Sequence, residues 1–187
     1  MRTSVDGQCN IKKTLAPFLT KVVGIDLADN MVNEFNQNAT FAGLADHVVG
    51  YKADLLTDPV PTEFAGVDFM DFDVVAVSMA LHHFERPESA LQRLADRLKT
   101  GGSCFIIDLV PQAHQNHSHG HEHKHEFGDA AHTVQRHGFS QDEMRTLFDA
   151  AGLRVGFDYK VLPEPLVFFK DDQKVPKTVF IARARRG

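Results

Sequence analysis

Residues 72–110 read FDVVAVSMALHHFERPESALQRLADRLKTGGSCFIIDLV, and this stretch decides the fold. It begins with a nearly continuous apolar run, Val74–Val77, which is typical of a strand buried on both faces. Cys104–Val110 is a second run of this kind. Between the two runs, Pro87 suits the first turn of a helix, where its missing N–H costs nothing. Apolar residues then recur at helical spacing until Thr100-Gly101-Gly102, which we expect to end the helix. These apolar residues are Leu91, Leu94, Ala95 and Leu98.

A strand, a helix and a second strand joined by short links form a right-handed crossover unit of a parallel sheet. Ligands of such sheets bind beyond the carboxyl ends of the strands. Ser78–Phe84 follows the first strand directly, and Asp108 lies near the end of the second. The sequence therefore places both at a functional rim.

The segments before this unit extend the same pattern. Lys21–Asp26 is predicted to be a buried strand that ends in an acid. Asp29 is expected to cap a helix that runs through Asn38. Val48–Lys52 is a further short strand, and Asp54 follows it.

The segments after the unit predict one helix and two strands. Ser140 and Glu143 form a capping box, in which hydroxyl and carboxylate satisfy each other's backbone donors at the start of a helix. Arg154–Val161 and Thr178–Ala184 are predicted strands, and the apolar run Leu166–Phe169 between them is expected to pack on the domain or line a pocket. The fold class is therefore α/β, Rossmann-like, with a mostly parallel sheet, helices on both faces and a C-terminal antiparallel hairpin.

Composition limits the classes of protein to consider. The 187 residues, 43% of them hydrophobic and 24% charged, suit a single domain spanning 1–187. A net charge of −5 argues against nucleic-acid binding. There is neither an apolar run long enough to span a membrane nor a secretory signal. Cys9 and Cys104 are read as free thiols in a reducing compartment, so we expect a cytoplasmic location, with nuclear as the alternative.

Several motifs together resemble the class I S-adenosylmethionine-dependent methyltransferases that act on small molecules. They are Leu81-His82-His83, Lys99-Thr100-Gly101-Gly102, the segment VVGIDLADNMV over residues 22–32, and His137-Gly138-Phe139-Ser140. The resemblance runs from about Leu15 to Ala184. It implies S-adenosylmethionine as the cofactor, S-adenosylhomocysteine as the product, and a small-molecule methyl acceptor.

The resemblance also implies which residues bind the cofactor. Asp26 would hold the ribose, since an acid at the end of a strand can accept two hydrogen bonds from a diol. Met31 would pack against adenine, and Asp54 would contact the exocyclic amine of adenine. Further contacts are expected from Leu27, Leu55 and Ser78. The alternative is purely structural: Asp26 as a helix cap, Met31 as a core residue and Asp54 as a turn residue.

Histidines are the candidates for acid–base chemistry. His82 or His83 could act as a general base on the acceptor, because imidazole titrates near neutral pH. The alternative is that at least one of them has a structural or orienting role. His137 is a further candidate for the pocket. Methyl transfer has a good leaving group, so alignment of the reactants can supply much of the rate and a base is optional.

A histidine tract lies in a predicted loop over residues 111–138. Its members fall at every second position: His117, His119, His121, His123 and His125. An extended chain or a helix would bring some of them to one side, where they could bind zinc, nickel or copper. No cysteines accompany them at zinc-finger spacing, so we expect a solvated loop that binds metal weakly and adventitiously.

The N-terminus departs from the family. A strand followed by a glycine-rich turn should open the domain, but Val5–Asn10 contains only Gly7, and residues 1–10 are atypical. The missing strand would leave a gap between the strands that end at Asp26 and Ser78. Residues 2–8 could fill this gap, the two strands could pair directly, or a second copy could supply a strand, which would favour a homodimer. A truncated or incorrectly spliced N-terminus is a further alternative.

Three hypotheses for function follow. The first is a methyltransferase acting on a small molecule, impaired to some degree by loss of the glycine turn. The second is a catalytically inactive methyltransferase-like domain that binds or regulates a partner. The third and weakest is metal binding through the histidine tract.

Overall fold

The structure, a computed structural model, describes residues 2–4, 19–59, 61–111, 135–170 and 173–187. These ranges contain three α-helices: α1 (Asp29–Phe41), α2 (Pro87–Ala95) and α3 (Gln141–Ala150). Nine strands accompany them in these ranges: β1 (Arg2–Ser4), β2 (Val22–Asp26), β3 (Val48–Lys52), β4 (Phe72–Ser78), β5 (Leu98–Leu109), β6 (Val155–Val161), β7 (Leu166–Lys170), β8 (Gln173–Lys177) and β9 (Val179–Arg185).

The main sheet has the strand order β1-β4-β5-β9-β6, and β2 pairs with β3 in a second ladder. The pairs β1–β4, β4–β5 and β2–β3 are parallel, whereas β9 is antiparallel to both β5 and β6. The predicted α/β class is confirmed, including the mostly parallel sheet and the C-terminal antiparallel hairpin, which β6 and β9 form.

Strand β1 occupies the predicted gap in the sheet. Arg2 lies opposite Val75 and Ser4 opposite Val77 in the parallel ladder with β4, and β1 contacts β2 on its other side. Of the three expected outcomes, the structure therefore shows a short replacement strand from the N-terminus. Because β1 fills the gap, the sheet does not require a strand from a second copy. A homodimer stays a prediction, but a gap in the sheet no longer supports it.

Glycines allow α1 to pack closely on β2 and β3. Gly24 and Gly50 lie opposite each other in the β2–β3 ladder. A Cβ atom at Gly24 would lie 3.0 Å from the ring of Phe35, and one at Gly50 would lie 2.8 Å from it. The side chain of Asn36 also bonds Gly50, accepting from its N–H at 2.7 Å and donating to its carbonyl at 3.0 Å. This packing sets the direction of α1 where it leaves the end of β2.

The core lies on both sides of β4 and β5. Phe139, Met144 and Phe148 pack there from α3 and the segment before it, and all are fully buried. Cys104 is a free, buried thiol, as predicted, and burial raises its pKa to about 12. In the part of the chain that the structure describes, no helix is long and apolar enough to cross a membrane.

Two local predictions are wrong. Helix α2 ends at Ala95 rather than at the glycines, because Leu98 already pairs with Phe72 at the start of β5. The glycines lie in an irregular part of β5, where the register shifts so that Ser103 pairs with Val74. Asp29 is the first residue of α1, and Ala28 is its N-cap, without a side-chain hydrogen bond.

The apolar run Leu166–Phe169 does not join the main sheet, and its described side chains, Leu166–Phe168, do not line the cavity described below. It belongs to β7, which pairs with β8 as a separate two-stranded hairpin. Leu166 and Val167 are exposed. The capping box of α3 is present as predicted, with Ser140 and Glu143 bonded reciprocally. A single domain over 1–187 stays a prediction.

Candidate functional site

A cavity of about 530 Å³ opens at the carboxyl ends of β2, β3 and β4. This is the rim at which parallel α/β sheets bind their ligands. Its wall is mostly apolar, with contributions from Ile25, Leu55, Leu56, Val77, Phe84 and Leu94. The polar members of the wall are Asp26, Asp54, His83, Glu85 and Gln135. A mostly apolar cavity with a few polar groups is the usual form of a small-molecule site.

The two acids that follow β2 and β3 have the same local geometry. Asp26 Oδ1 accepts a hydrogen bond of 2.8 Å from the Ala28 N–H, and Asp54 Oδ1 accepts one of 2.8 Å from the Leu56 N–H. Each carboxylate therefore tightens the turn after its strand. Each turn uses Oδ1 alone, so Oδ2 of both acids keeps its capacity to accept from a ligand.

Several predicted site residues meet in this wall, and others do not. Asp26, Leu27, Asp54, Leu55 and His83 all line the cavity. The predicted residues outside its lining are Met31, Ser78, His82 and His137. Met31 is half-buried on α1, Ser78 is half-buried at the end of β4, and His137 is exposed.

The adjacent histidines have different environments. His82 is buried, and its Nδ1 lies 2.7 Å from Oδ1 of Asp108, whose side chain is fully buried. The same carboxylate accepts from the His82 backbone N–H at 3.2 Å and from the Leu109 N–H at 2.7 Å. Three donors thus converge on one buried carboxylate, which is how a buried acid avoids a large desolvation penalty.

This His82–Asp108 pair connects the cavity wall to the end of β5. The rings of His82 and His83 lie 4.1 Å apart between centroids, and His83 is in the wall. The carbonyl of His82 also accepts from the N–H groups of Gln135 and Arg136, both at 3.1 Å. His82 therefore positions two wall residues: its ring packs against His83, and its carbonyl accepts the backbone N–H of Gln135.

The chain turns sharply between β4 and the histidines. Met79 has a φ of 52°, which places a residue with a Cβ in the left-handed region at some energetic cost. Its N–H donates to the Ile107 carbonyl at 2.8 Å, which fixes this turn against β5. The turn brings Ala80, a residue with a small side chain, into the cavity wall.

Comparison with known proteins assigns the family. A family model described as "Methyltransferase domain" matches residues 10–156, which is most of the chain and includes β2 to β5 with the cavity between them. The chain belongs to this methyltransferase family. The recognised resemblance and the fold expected from it are confirmed.

Relatives of this methyltransferase domain include an uncharacterized methyltransferase of Schizosaccharomyces pombe, which is 28% identical over 144 residues. The alignment covers 76% of this chain and 49% of the relative, so the chain spans about half the length of the curated relative that it matches.

Two solved structures show the shared fold. The YcgJ protein from Bacillus subtilis is 14% identical and aligns with a TM-score of 0.65, covering 100% of this chain and 91% of that chain. A SAM-dependent methyltransferase from Aquifex aeolicus is 18% identical and aligns with a TM-score of 0.53, covering 98% and 79%. At these identities the likeness concerns the fold alone.

Sequence reasoning missed part of the site of this methyltransferase domain. Glu85 and Gln135 line the cavity, as do Ala90 and Leu94 of α2. The helical stripe indicated that Leu94 is apolar but not that it faces a cavity. Gln135 reaches the site because its backbone bonds to His82, a contact between residues far apart in sequence that no local motif signals.

The metal prediction has no support from the part of the chain that the structure describes. Within the described residues, no three His, Cys, Asp or Glu side chains form a group that could hold a metal ion. The tract His117–His125 lies outside those residues, as does Cys9. Weak metal binding by the tract therefore stays a prediction.

Proposed function

We propose that this chain is an S-adenosylmethionine-dependent methyltransferase that acts on a small-molecule acceptor. The observation that carries the proposal is the position of Asp26. It lies at the carboxyl end of β2, in the wall of a mostly apolar cavity that also contains Asp54 and His83. Membership of the methyltransferase family supports the reaction type.

The residues present fit the nucleoside part of the cofactor. Oδ2 of Asp26 would accept from the ribose diol, while Oδ1 keeps the following turn closed through Ala28. Asp54 would accept from the exocyclic amine of adenine, and Leu27 and Leu55 would contact the apolar faces of the nucleoside. A mostly apolar wall in which Asp26 and Asp54 act as acceptors suits an adenine nucleoside, which has flat apolar faces and several donor groups.

When bound, the cofactor supplies an electrophilic methyl group on a sulfonium. The role of the protein is mainly to align the acceptor and to exclude water from it. His83, a half-buried imidazole in the cavity wall, would take the proton that the acceptor heteroatom loses. His82 and Asp108 would act on this step only indirectly, by positioning His83.

The charge of the wall argues against a nucleic-acid acceptor. The cavity volume of about 530 Å³ lies within the range of small-molecule sites, and the cofactor would occupy part of it. Nucleic-acid sites need basic side chains, and the described wall contains neither lysine nor arginine, in a chain with a net charge of −5.

Methyl transfer is the direct test of this proposal. The full chain is incubated with S-adenosylmethionine carrying a tritiated methyl group and with panels of phenols, amines and thiols. We expect label in at least one neutral small molecule. A His83→Gln variant should transfer at least tenfold more slowly to an acceptor that must lose a proton, because it lacks the base. Rates that are equal in the two proteins would contradict the role given to His83.

A second candidate is a methyltransferase-like domain that binds the cofactor without transferring its methyl group. The sequence Val5–Asn10 favours it, because a single glycine replaces the glycine-rich turn of the family. Tight binding of S-adenosylhomocysteine together with no labelled product from any acceptor panel would favour this candidate over the first. Absence of both binding and transfer would contradict both.

A further inference from the structure

Outer strand edges can pair with another chain, and three such edges in the described part of this protein are protected. The outer edge of β3 is occupied at Gly50, whose N–H and carbonyl both bond the side chain of Asn36. Strand β6 has a register shift between Val155 and Asp158, where it pairs with β9. Strand β8 contains Pro176, which has no N–H to donate. Each of these strands is therefore a poor template for a further strand.

Strand β7 lacks such protection over most of its length. Its first four residues, Leu166–Phe169, include no charged residue, proline or glycine, and Leu166 and Val167 are exposed. Among the described strands it pairs only with β8, and this hairpin makes no extensive contact with another described helix or strand. Hairpins of two strands are marginally stable in water, whereas three or more strands can be stable. A further strand beside β7 would therefore stabilise the hairpin.

The pairing within the hairpin shows which backbone groups of β7 point outward. Lys170 and Gln173 are paired and joined by two residues, and a loop of this length closes on a hydrogen-bonded pair. Antiparallel pairs alternate, so the N–H and carbonyl groups of Val167 and Phe169 point away from β8. Pro176 agrees with this assignment, because it lies opposite Val167, where no N–H is needed. No described residue forms a backbone hydrogen bond with these outward groups.

We propose that β7 pairs with β7 of a second copy of this chain, across a two-fold axis at Phe168. The two hairpins then form one continuous antiparallel sheet of four strands. This register pairs all five residues of β7, with Val167 opposite the partner's Phe169 and Leu166 opposite the partner's Lys170. The outward groups of Val167 and Phe169 become hydrogen-bonded. The same strand supplies both sides of the contact, so the assembly closes as a dimer.

The second copy would lie beside the ligand-binding rim. Strands β5 and β6 are both antiparallel to β9, so β6 ends at the same rim as β5, and the hairpin follows β6 there. The Val110 N–H donates to the Thr178 carbonyl at 2.9 Å, which joins the returning end of the hairpin to the end of β5. The proposed contact does not depend on the reaction that the cavity performs.

Sedimentation velocity of the full chain tests whether the dimer exists. Pairing of two short strands gives a small interface, and small interfaces are weak, so we expect dissociation within about 1–300 µM of protein. The sedimentation coefficient should rise with concentration from that of a monomer to that of a dimer. A monomer at every concentration in this range would overturn the proposal.

Proline substitutions locate the contact on β7. Val167→Pro removes an outward N–H of β7 and leaves the hydrogen bonds to β8 intact. Lys174→Pro is the matched control, because Lys174 lies opposite Phe169 and its N–H points outward from β8. We expect Val167→Pro to raise the dissociation constant of the dimer at least tenfold and Lys174→Pro to change it less than threefold. Equal effects of the two variants would overturn the assignment to β7.

Cross-linking tests the register without a proline in the hairpin. In a Cys9→Ser background, Phe168→Cys places a thiol on the two-fold axis, where paired Cα atoms are about 4.5 Å apart and can be joined by a disulfide. Val175→Cys is the control, since it lies opposite Phe168 in β8, and its two copies would be roughly 14 Å apart. Cys104 is buried in both proteins. Oxidation should give a covalent dimer of Phe168→Cys only; equal cross-linking of the two variants, or none, would overturn the proposed pairing.

Discussion

His82 Nδ1 and Asp108 Oδ1 are 2.7 Å apart, and both side chains are buried. The two residues are separated by 26 positions, and their contact joins the turn after β4 to the end of β5. Because the His82 carbonyl accepts from Gln135 and Arg136, the same residue also holds the segment that leads into α3. The pair is thus the point at which three parts of the cavity rim are connected.

Breaking the His82–Asp108 pair should lower the stability of the fold. Asp108→Asn keeps the size of the side chain but replaces one acceptor oxygen with an NH₂ group. Every orientation of the amide then sets that donor against a donor, since N–H groups of His82 and Leu109 face both carboxylate oxygens. We expect a loss of about 3 kcal/mol in the free energy of unfolding, measured by urea denaturation.

The matched control for this variant is Asp73→Asn. It breaks an exposed ion pair with Lys99 on the same sheet and should cost less than about 1 kcal/mol. Asp108→Asn should in addition weaken binding of S-adenosylhomocysteine, because His83 and Gln135 lose their support. A variant that unfolds like the control and binds like the wild type would show that the pair has neither role.

Gly138 is predicted to tolerate no side chain. Its φ is +127°, and an added Cβ atom would lie 2.3 Å from the Leu109 carbonyl oxygen, which also accepts the Phe139 N–H. Gly138→Ala must therefore displace the start of α3 from β5, and we expect a loss of at least about 3 kcal/mol in urea denaturation.

Gly152 is the control that distinguishes backbone strain from a steric clash at Gly138. Its φ is +76°, but an added Cβ would have nothing within 4 Å. Gly152→Ala should cost only about 1–2 kcal/mol, the strain of a left-handed alanine. Equal losses for the two variants would mean that backbone strain alone, without the contact to Leu109, accounts for the effect at Gly138.

The capping box of α3 should make stability depend on pH in the acidic range. Glu143 Oε2 accepts from the N–H and the hydroxyl of Ser140, both at 2.7 Å, and these hydrogen bonds lower the pKa of Glu143 below its ordinary value. A carboxyl whose folded pKa is lowered stabilises the fold above its unfolded pKa, and this contribution is lost as pH falls through the folded pKa. The window therefore lies below the ordinary pKa of a glutamate.

Unfolding measured between about pH 3 and pH 7 tests this dependence. The wild type should be more stable than Glu143→Gln near neutral pH, and the difference should disappear at the acidic end. In a Ser140→Ala background the pH-dependent difference should shrink but persist, because the backbone N–H at that position remains. A difference that is constant over this pH range would contradict the assigned ionisation.

Local signals predicted much of the fold. The capping box at Ser140, the apolar runs of β4 and β5, and Pro87 at the start of α2 each act over a few residues, so a single sequence shows them. The end of α2 was predicted wrongly for the opposite reason. Leu98 leaves the helix because it pairs with Phe72 in β5, and such long-range pairing overrides a glycine signal.

The candidate site also combines residues that local sequence signals predict with residues that only long-range contacts bring there. Asp26 and Asp54 were found because acids at the ends of predicted strands are visible in the sequence. The burial of His82 beside Asp108 was not predicted, because the sequence of neither segment indicates whether His82 or His83 faces the core. Strand β1 likewise depends on the unpaired edge of β4, since its three residues contain no apolar run of their own.

The central claim is that Asp26 holds the ribose of the cofactor. Asp26→Asn tests it with little disturbance, because the amide oxygen can still accept from the Ala28 N–H while the NH₂ group cannot accept from a ribose hydroxyl. Asp29→Asn is the control, since it removes the same charge three residues away, at an exposed side chain that pairs with Lys52.

Calorimetric titration of the three proteins with S-adenosylhomocysteine is the most direct measurement. The account predicts micromolar binding by the wild type and by Asp29→Asn, and binding at least tenfold weaker by Asp26→Asn, since a lost hydrogen bond to a charged group is worth about 1.5–3 kcal/mol. Equal affinity of all three proteins, or no binding by a folded wild type, would contradict it.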